Sequence, residues 1–493
     1  MNLVILLVIP LLTWLVVAVA RTAVQVRFIS MTGSAAQLFS AIYLFISYRN
    51  ERSAGNTDQF LFSTDTPLFP SLGIHFHIGV DGIAIAMILL TALVVLAGVL
   101  VSWKVEKMTK EFYLLLLLLS IGAYGFFIAI DLFVLFFFLE VAVIPKYLLI
   151  SIWGSGKKEY SANKLALMLM GGSALVLVGI LGLYFSVKGE HSFDLLKIAQ
   201  TAISKNQQLI FFPLLFIGFG VFTALFPFHT WVPDGHSSAP TAGSMFLAGI
   251  SMKLGGYGCL RVAIYLLPEG AKEYATIIIV LSTIAILYGA FATLLQKDLK
   301  YMNAYSSVSH CGFVVLGYGM LTQTAITGAV MQMVSHGLMT ALFFAVIGII
   351  YERTHTRQIN EMGGLMKVMP FTMTILFIAG LCSLGLPGLS GFVAEMTVFM
   401  GAWEKEGVFY RITTIAACMS IVVTAVYILR AIGQTAMGPL KEKYSLVKDA
   451  LWYERIAVIV LVLGILAIGI APFWLKELVT PDIDIIMNRI NSK

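Results

Sequence analysis

Between Leu3 and Leu475 the chain passes through one apolar stretch of about 20 residues after another, joined by short polar connections. That length, at a rise of about 1.5 Å per helical residue, is what a hydrocarbon core of about 30 Å demands. In such a medium every backbone N–H and C=O must find its partner within the chain, which leaves helices or a closed barrel. A barrel would show ten-residue segments of alternating polarity, and these stretches do not alternate. The composition agrees. Hydrophobic residues make up 59% of the chain and charged residues 12%, against roughly 25% charged in a soluble domain, and the mean hydropathy is +0.92. The expected fold class is an all-α polytopic membrane protein.

Fourteen transmembrane segments are expected, at residues 3–20, 28–48, 81–102, 112–130, 132–153, 164–186, 209–229, 240–267, 274–295, 303–321, 324–350, 371–402, 411–434 and 454–475. The twelfth contains Gly385-Leu386-Pro387-Gly388-Leu389-Ser390-Gly391. Proline removes a donor and glycine favours irregular backbone, so the helix breaks there, and a break at membrane depth must line protein or water. With both termini outside, the inner loops carry the excess of Lys and Arg although the outer loops are longer; this orientation is expected. The first twenty residues lack a basic n-region and a small-residue cleavage site and are expected to stay as a helix. The loop at 49–80, polar with Gly and Pro, is expected to form a small external cover.

Cys259, Cys311, Cys382 and Cys418 stand singly in apolar runs with no CxxC pattern, so packing rather than metal ligation is expected of them. The net charge of +6 comes from loop lysines and arginines, which in a membrane protein reports topology rather than nucleic-acid binding. With no G-x-G-x-x-G in a βαβ context and no cysteine cluster, the chain is expected to hold neither nucleotide, flavin nor iron–sulfur centre.

Ionisable groups deep in apolar helices cost about 2.5–3.5 kcal/mol each on insertion scales, so those present are informative. Six stand out: Glu140, Lys146, Lys253, His310, His336 and Glu395, one or two to a helix over five helices. Such spacing suits a lateral row rather than one compact active site. An apolar surrounding favours the neutral forms of carboxylic acids and lysines, and histidine titrates near neutrality already, so a mixed row can relay protons through intervening waters. Structural ion pairs or interhelical hydrogen bonds are the alternative. Pro145 leaves the carbonyl of Val141 without its helical donor, one residue past Glu140. Gly255 and Gly256 allow a neighbouring helix to approach Lys253, and Glu395 lies one turn past the Gly/Pro break. Glu140 and Lys146, six residues apart, point roughly 120° from one another on a helix, which excludes a direct i, i+4 pair.

The run Pro227-Phe228-His229-Thr230-Trp231-Val232-Pro233-Asp234-Gly235-His236, followed by Ala239-Pro240-Thr241-Ala242-Gly243-Ser244, resembles the antiporter-like subunits of NADH:quinone oxidoreductase, respiratory complex I. These are similar in turn to subunits of multi-subunit sodium/proton antiporters. Gly79-Val80-Asp81-Gly82-Ile83, Asp298-Leu299-Lys300 with Ala304-Tyr305-Ser306-Ser307-Val308-Ser309-His310, and Tyr351-Glu352-Arg353-Thr354-His355-Thr356-Arg357 with Met362-Gly363-Gly364-Leu365 carry the same likeness, the last pointing to the M-type subunit. The resemblance implies two inverted five-helix repeats with broken helices 7 and 12. It divides the chain into helices 1–3 (residues 1–111), a first repeat (112–273), a second repeat (274–434) and a C-terminal helix with its tail (435–493). It also implies a proton path through Glu140, Lys253, His310, His336 and Glu395. The family's lysine in the seventh helix is absent, and Phe222 stands there. Either Lys146 supplies that charge or the half-channel is lost.

The implied function is proton translocation driven by NADH:quinone electron transfer, with FMN, iron–sulfur clusters and quinone in partner subunits. The implied partners are the other membrane subunits of complex I, especially the neighbouring antiporter-like ones, and the lipid bilayer; the implied location is the bacterial inner membrane. A sodium/proton antiporter subunit and a non-pumping membrane scaffold are the rival readings.

Overall fold

The computed structural model describes residues 2–187 and 189–492. Helices α1 (Ile5–Val19) and α2 (Ala23–Ser53) open the chain, the second started by a capping box between Thr22 and Gln25. The loop at 49–80 holds an antiparallel hairpin that the sequence reading leaves as irregular cover. Its strands β1 (Leu61–Phe69) and β2 (Ile74–Val80) pair Leu61 opposite Val80 and Phe69 opposite Ile74. Asp81 caps α3 (Gly82–Val101), and α4 (Thr109–Ile128) follows.

The fifth expected segment is two helices, α5 (Leu132–Val141) and α6 (Val143–Trp153), separated at Ala142, three residues before Pro145. Next come α7 (Lys158–Ser186), the short α8 (Leu195–Gln200) and α9 (Lys205–Thr223). An irregular turn leads to α10 (Trp231–Ser238). Helices α11 (Thr241–Phe246) and α12 (Met252–Gly258) belong to one rod with π-helical stretches at Leu247–Ser251 and Cys259–Ile264. The second half holds α13 (Pro268–Leu294), α14 (Leu299–Met320) and α15 (Gln323–Thr354). The expected break in the twelfth segment separates α16 (Pro370–Ser383) from α17 (Ser390–Trp403), with Gly385 at φ +75° and Gly388 at φ +93°, backbone that a side chain resists. Helices α18 (Val408–Ala436), α19 (Trp452–Ile470) and α20 (Phe473–Asn491) complete the chain.

Among the described residues ten helical spans, α5 and α6 counting as one, are long and apolar enough to cross a membrane, and the protein is an all-α polytopic membrane protein. The remaining four expected segments are helical too but short, interrupted or polar. α14, for example, carries Asn303, Ser306, Ser307, Ser309 and His310 on a buried helix. The bundle has two ends. At one lie the hairpin, the 189–204 connection and α20, joined by Phe193 N–H to the Gly73 carbonyl and by Arg52 to Asp482 at 3.8 Å. At the other, Ser155 N–H meets the Ser238 carbonyl at 2.8 Å and Leu299 N–H the Arg357 carbonyl at 3.0 Å. Helix α15 runs through the middle, buried along its apolar length.

Candidate functional site

Four of the six expected side chains form one string of contacts. Lys253, 1% exposed, lies on α12 just after the π-helical stretch and donates through Nζ to the Ala248 carbonyl at 2.5 Å. Such stretches concentrate at functional positions. The same Nζ is 2.8 Å from Nδ1 of His336 on α15. For that nitrogen to accept, the neutral ring must carry its proton on Nε2, and Nε2 is buried with no hydrogen-bond partner among the described residues. Cys311 Sγ approaches the same Nδ1 at 3.7 Å.

The rings of His336 and His310 are 5.5 Å apart between centroids. On α14, His310 holds Nδ1 3.0 Å from Oε1 of Glu395 and Nε2 3.0 Å from Ser383 Oγ. Glu395 stands on α17, 5% exposed, beneath the broken backbone. A Cβ on Gly385 would come within 3.1 Å of its Oε2, so glycine leaves room for the carboxylate as well as for the turn.

Glu140 and Lys146 are not part of that string. Lys146 on α6 is 1% exposed, and its Nζ has no hydrogen-bond partner among the described residues, nor has Oε1 of Glu140. Within 4.0 Å no ion pair joins the two, in keeping with their 120° separation, and the kink at Ala142 lies between them. The ammonium instead sits 5.7 Å from the ring centroid of Phe222 on α9, the position where the family's lysine is missing.

Three buried groups escape a reading from sequence alone. His236 on α10 is fully buried, stacked 5.4 Å from Phe344 and 6.1 Å from Trp231, with both ring nitrogens unpartnered. Lys300, at the start of α14, donates to the Ala239 carbonyl at 2.7 Å, beside Arg357, which binds Asp298 at 3.1 Å and the Ser237 carbonyl at 2.7 Å. Arg261 pairs with Asp81 at the hairpin end, where Asp482 of α20 accepts from Gly82 N–H at 2.6 Å. Of the cysteines, three are buried and Cys418 is half-buried. Among the described residues no group of His, Cys, Asp or Glu has the geometry to hold a metal ion.

A family profile described as NADH:quinone oxidoreductase/Mrp antiporter, transmembrane, matches residues 129–424, which include all six expected side chains. The chain belongs to this family. Subunit M of the NADH-quinone oxidoreductase of Rickettsia prowazekii is 36% identical over 449 residues, covering 90% of this chain and 89% of that one. Among solved structures, a chain of respiratory complex I from Thermus thermophilus with bound NADH superimposes with a TM-score of 0.91 at 26% identity, over 99% of this chain and 100% of that one. A chain of the Mrp complex from Dietzia shares the fold, with a TM-score of 0.85 at 18% identity over 99% of each.

Proposed function

We propose that the chain is a multi-pass, proton-translocating subunit of a bacterial NADH:quinone oxidoreductase. The observation that carries this reading is the string Lys253–His336–His310–Glu395, in which two contacts are 2.8 and 3.0 Å and the third brings two imidazoles to 5.5 Å. An ammonium, two imidazoles and a carboxylate in that order give a proton a place to stop every few ångströms, and one water would span the ring pair. When Lys253 is charged its proton faces the unprotonated Nδ1 of His336. A proton arriving at Nδ1 is matched by release from Nε2; at His310 it is taken up on Nε2, whose partner is Ser383 Oγ, while the proton on Nδ1 faces Glu395 Oε1. At His310 the Glu395 carboxylate stabilises the imidazolium before accepting its proton.

The first half, residues 112–273, delivers protons to Lys253 from Glu140 and Lys146, the latter substituting for the lysine absent at Phe222, a role supported by its 5.7 Å approach to that ring. His236 lies in the field of Lys253 and offers a step between the halves. The second half, residues 274–434, carries the string to Glu395 beside its broken helix. This division into two repeats, with fourteen crossings and both termini outside, is part of the proposal. Electron transfer, with its FMN, iron–sulfur clusters and quinone, takes place in partner subunits, and the energy reaches this chain through its contacts with neighbouring membrane subunits.

The test is Lys253→Met in the assembled complex reconstituted into vesicles. Methionine keeps the length and volume of the side chain and removes the titratable group. Protons moved per NADH oxidised should fall sharply, and quinone reduction should fall with them where coupling is tight. A variant that assembles and pumps like the parent overturns the reading and leaves the chain a scaffold.

A further inference from the structure

Two cavities outside the proton path lie end to end along α2. The first, about 190 Å³, is a slot among α2, α3, α15, α19 and α20, lined by apolar groups such as Leu38, Ile42, Leu89, Leu93, Leu338 and Gly464. The second, about 240 Å³, is polar and lies between the last turns of α2 and the first turns of α20, lined by Tyr48, Arg49, Arg52, Ser53 and Glu477. Trp474 lines both. Its indole N–H is held by the Ala467 carbonyl at 3.1 Å, and Phe45 packs against it edge-on at 5.7 Å, so an aromatic pair stands where the apolar slot gives way to the cationic pocket.

From this juxtaposition we infer that the hairpin end of the protein binds one phospholipid, an acyl chain in the slot and the phosphate between Arg49 and Arg52. Charge decides the occupant. Arg49 is exposed, and its only cation–π neighbour is the Phe45 ring at 5.9 Å; no salt bridge or hydrogen bond engages it among the described residues. The Arg52 guanidinium is oriented by Tyr48 at 3.0 Å and by the Asn56 and Asp58 carbonyls at 3.0 and 2.8 Å. The buried Asp482 lies 3.8 Å from Arg52 and partly offsets it, and Glu477 is the pocket's own carboxylate; the unpartnered Arg49 and the Nη2 edge of Arg52 still offer planar forks that match phosphate. A free phosphate would leave the slot unused, and an apolar peptide helix would leave Arg49 without a counter-charge beside its last turn. Aromatic side chains at the depth where tails meet headgroups are the usual mark of the membrane interface.

The slot also touches the machinery. Val334 and Leu338 line it, one on each side of His336 in α15, so the chain of a bound lipid rests against the helix that positions His336. That consequence rests on the proton-path reading; the binding itself does not.

The experiment uses the whole complex in vesicles of phosphatidylcholine containing a phosphatidylglycerol with a photoreactive acyl chain, with adducts mapped by peptide mass spectrometry. The parent should give adducts enriched on the peptides of the slot, from α15 and α19, over lipid-facing α18. Arg49→Glu, on an exposed turn, should lower that enrichment several-fold. Ala467→Phe, which blocks the slot mouth from an exposed position, should abolish it, while Arg21→Glu at the opposite end leaves it unchanged and inorganic phosphate does not compete. The inference is overturned if adducts spread evenly over α15, α18 and α19, if Arg49→Glu labels like the parent, or if a photoreactive diacylglycerol labels the slot as well as the phospholipid does. Because the readout is labelling, these results stand apart from the outcome of Lys253→Met.

Discussion

Replacing Lys146 by Met should separate stability from function. The ammonium is buried, unpartnered by any hydrogen bond, and faces the Phe222 ring at 5.7 Å. A charge at such depth costs about 2.5–3.5 kcal/mol on insertion scales, and a desolvated cation–π contact returns about 2 kcal/mol. The site therefore holds its charge at a net cost of about 1 kcal/mol, and Lys146→Met should stabilise the subunit by about that amount while pumping falls. Phe222→Lys alone places two ammoniums about 6 Å apart, which at an effective dielectric constant of 20 costs about 3 kcal/mol. Its complex should therefore assemble poorly, and adding Lys146→Met should relieve the repulsion. The assay is paired: thermal unfolding of the purified complex, and protons moved per NADH oxidised in vesicles. Relocation of the lysine requires that the single Lys146→Met lose pumping and that the double variant regain a substantial part of it. A Lys146→Met complex that is more stable and pumps like the parent refutes the functional role and leaves Lys146 an unexplained cost.

Two further outcomes test other parts of the molecule. Glu395→Gln keeps a hydrogen bond to His310 but cannot ionise, so pumping should fall as far as with Glu395→Ala; activity that survives Gln and fails only with Ala would make the residue structural. At the hairpin end, burial disfavours charge on His77, but the hydrogen bond and field of Asp194 outweigh it and hold the imidazole above its ordinary value of 6.5, with Asp65 and Asp131 adding to the effect. The paired Asp194 is held below its ordinary value, its burial outweighed by the bond to His77 and the backbone N–H of Lys197. A raised histidine stabilises the contact between the hairpin and Asp194 fully below about 6.5 and loses that contribution as pH rises through its folded value, whereas the lowered carboxylate loses its share only in acid. Amide protection across β1 and β2, measured relative to the intrinsic base-catalysed rate at each pH, should therefore be higher at about pH 6 than at about pH 9, and His77→Gln should flatten the difference; an unchanged pH dependence of protection in that variant would locate the switch elsewhere.

What a sequence shows of such a protein depends on contrast. A Glu or Lys inside an apolar run is visible without any structure, which is why Glu140, Lys146, Lys253 and Glu395 are legible. The break at 384–389 is written in glycine and proline. The hairpin is harder to see, because Pro67 inside β1 argues against a strand and no two-residue turn joins the halves. Helix α20 mixes Lys476, Glu477, Asp482 and Arg489 with leucines and isoleucines, so it presents an apolar stripe and no apolar run. His236 is concealed for the opposite reason. It follows Pro233, Asp234 and Gly235, a stretch that reads as surface, and only the enclosure of α10 between α7 and α14 makes it a buried imidazole.

Contacts between helices are the least legible part, and Lys146 shows why that matters for reading a family from its motifs. A motif fixes a residue by its position along one helix, but a proton responds to where the charge stands in space. Lys146 reaches the Phe222 ring from a different helix, past the kink at Ala142, so two sequences that differ at both positions can present a cation at nearly the same point. The pair then behaves as one site. On the proposed relocation, loss of a lysine in the seventh helix is harmless only together with a lysine in the fifth, and the combination with both lysines carries the repulsion of two close ammoniums. If the site is one, then Phe222→Lys should be tolerated only together with loss of Lys146, and the order in which the two changes are made should matter: the path through Lys146→Met first passes a stable but weakly pumping intermediate, while the path through Phe222→Lys first passes one that assembles poorly.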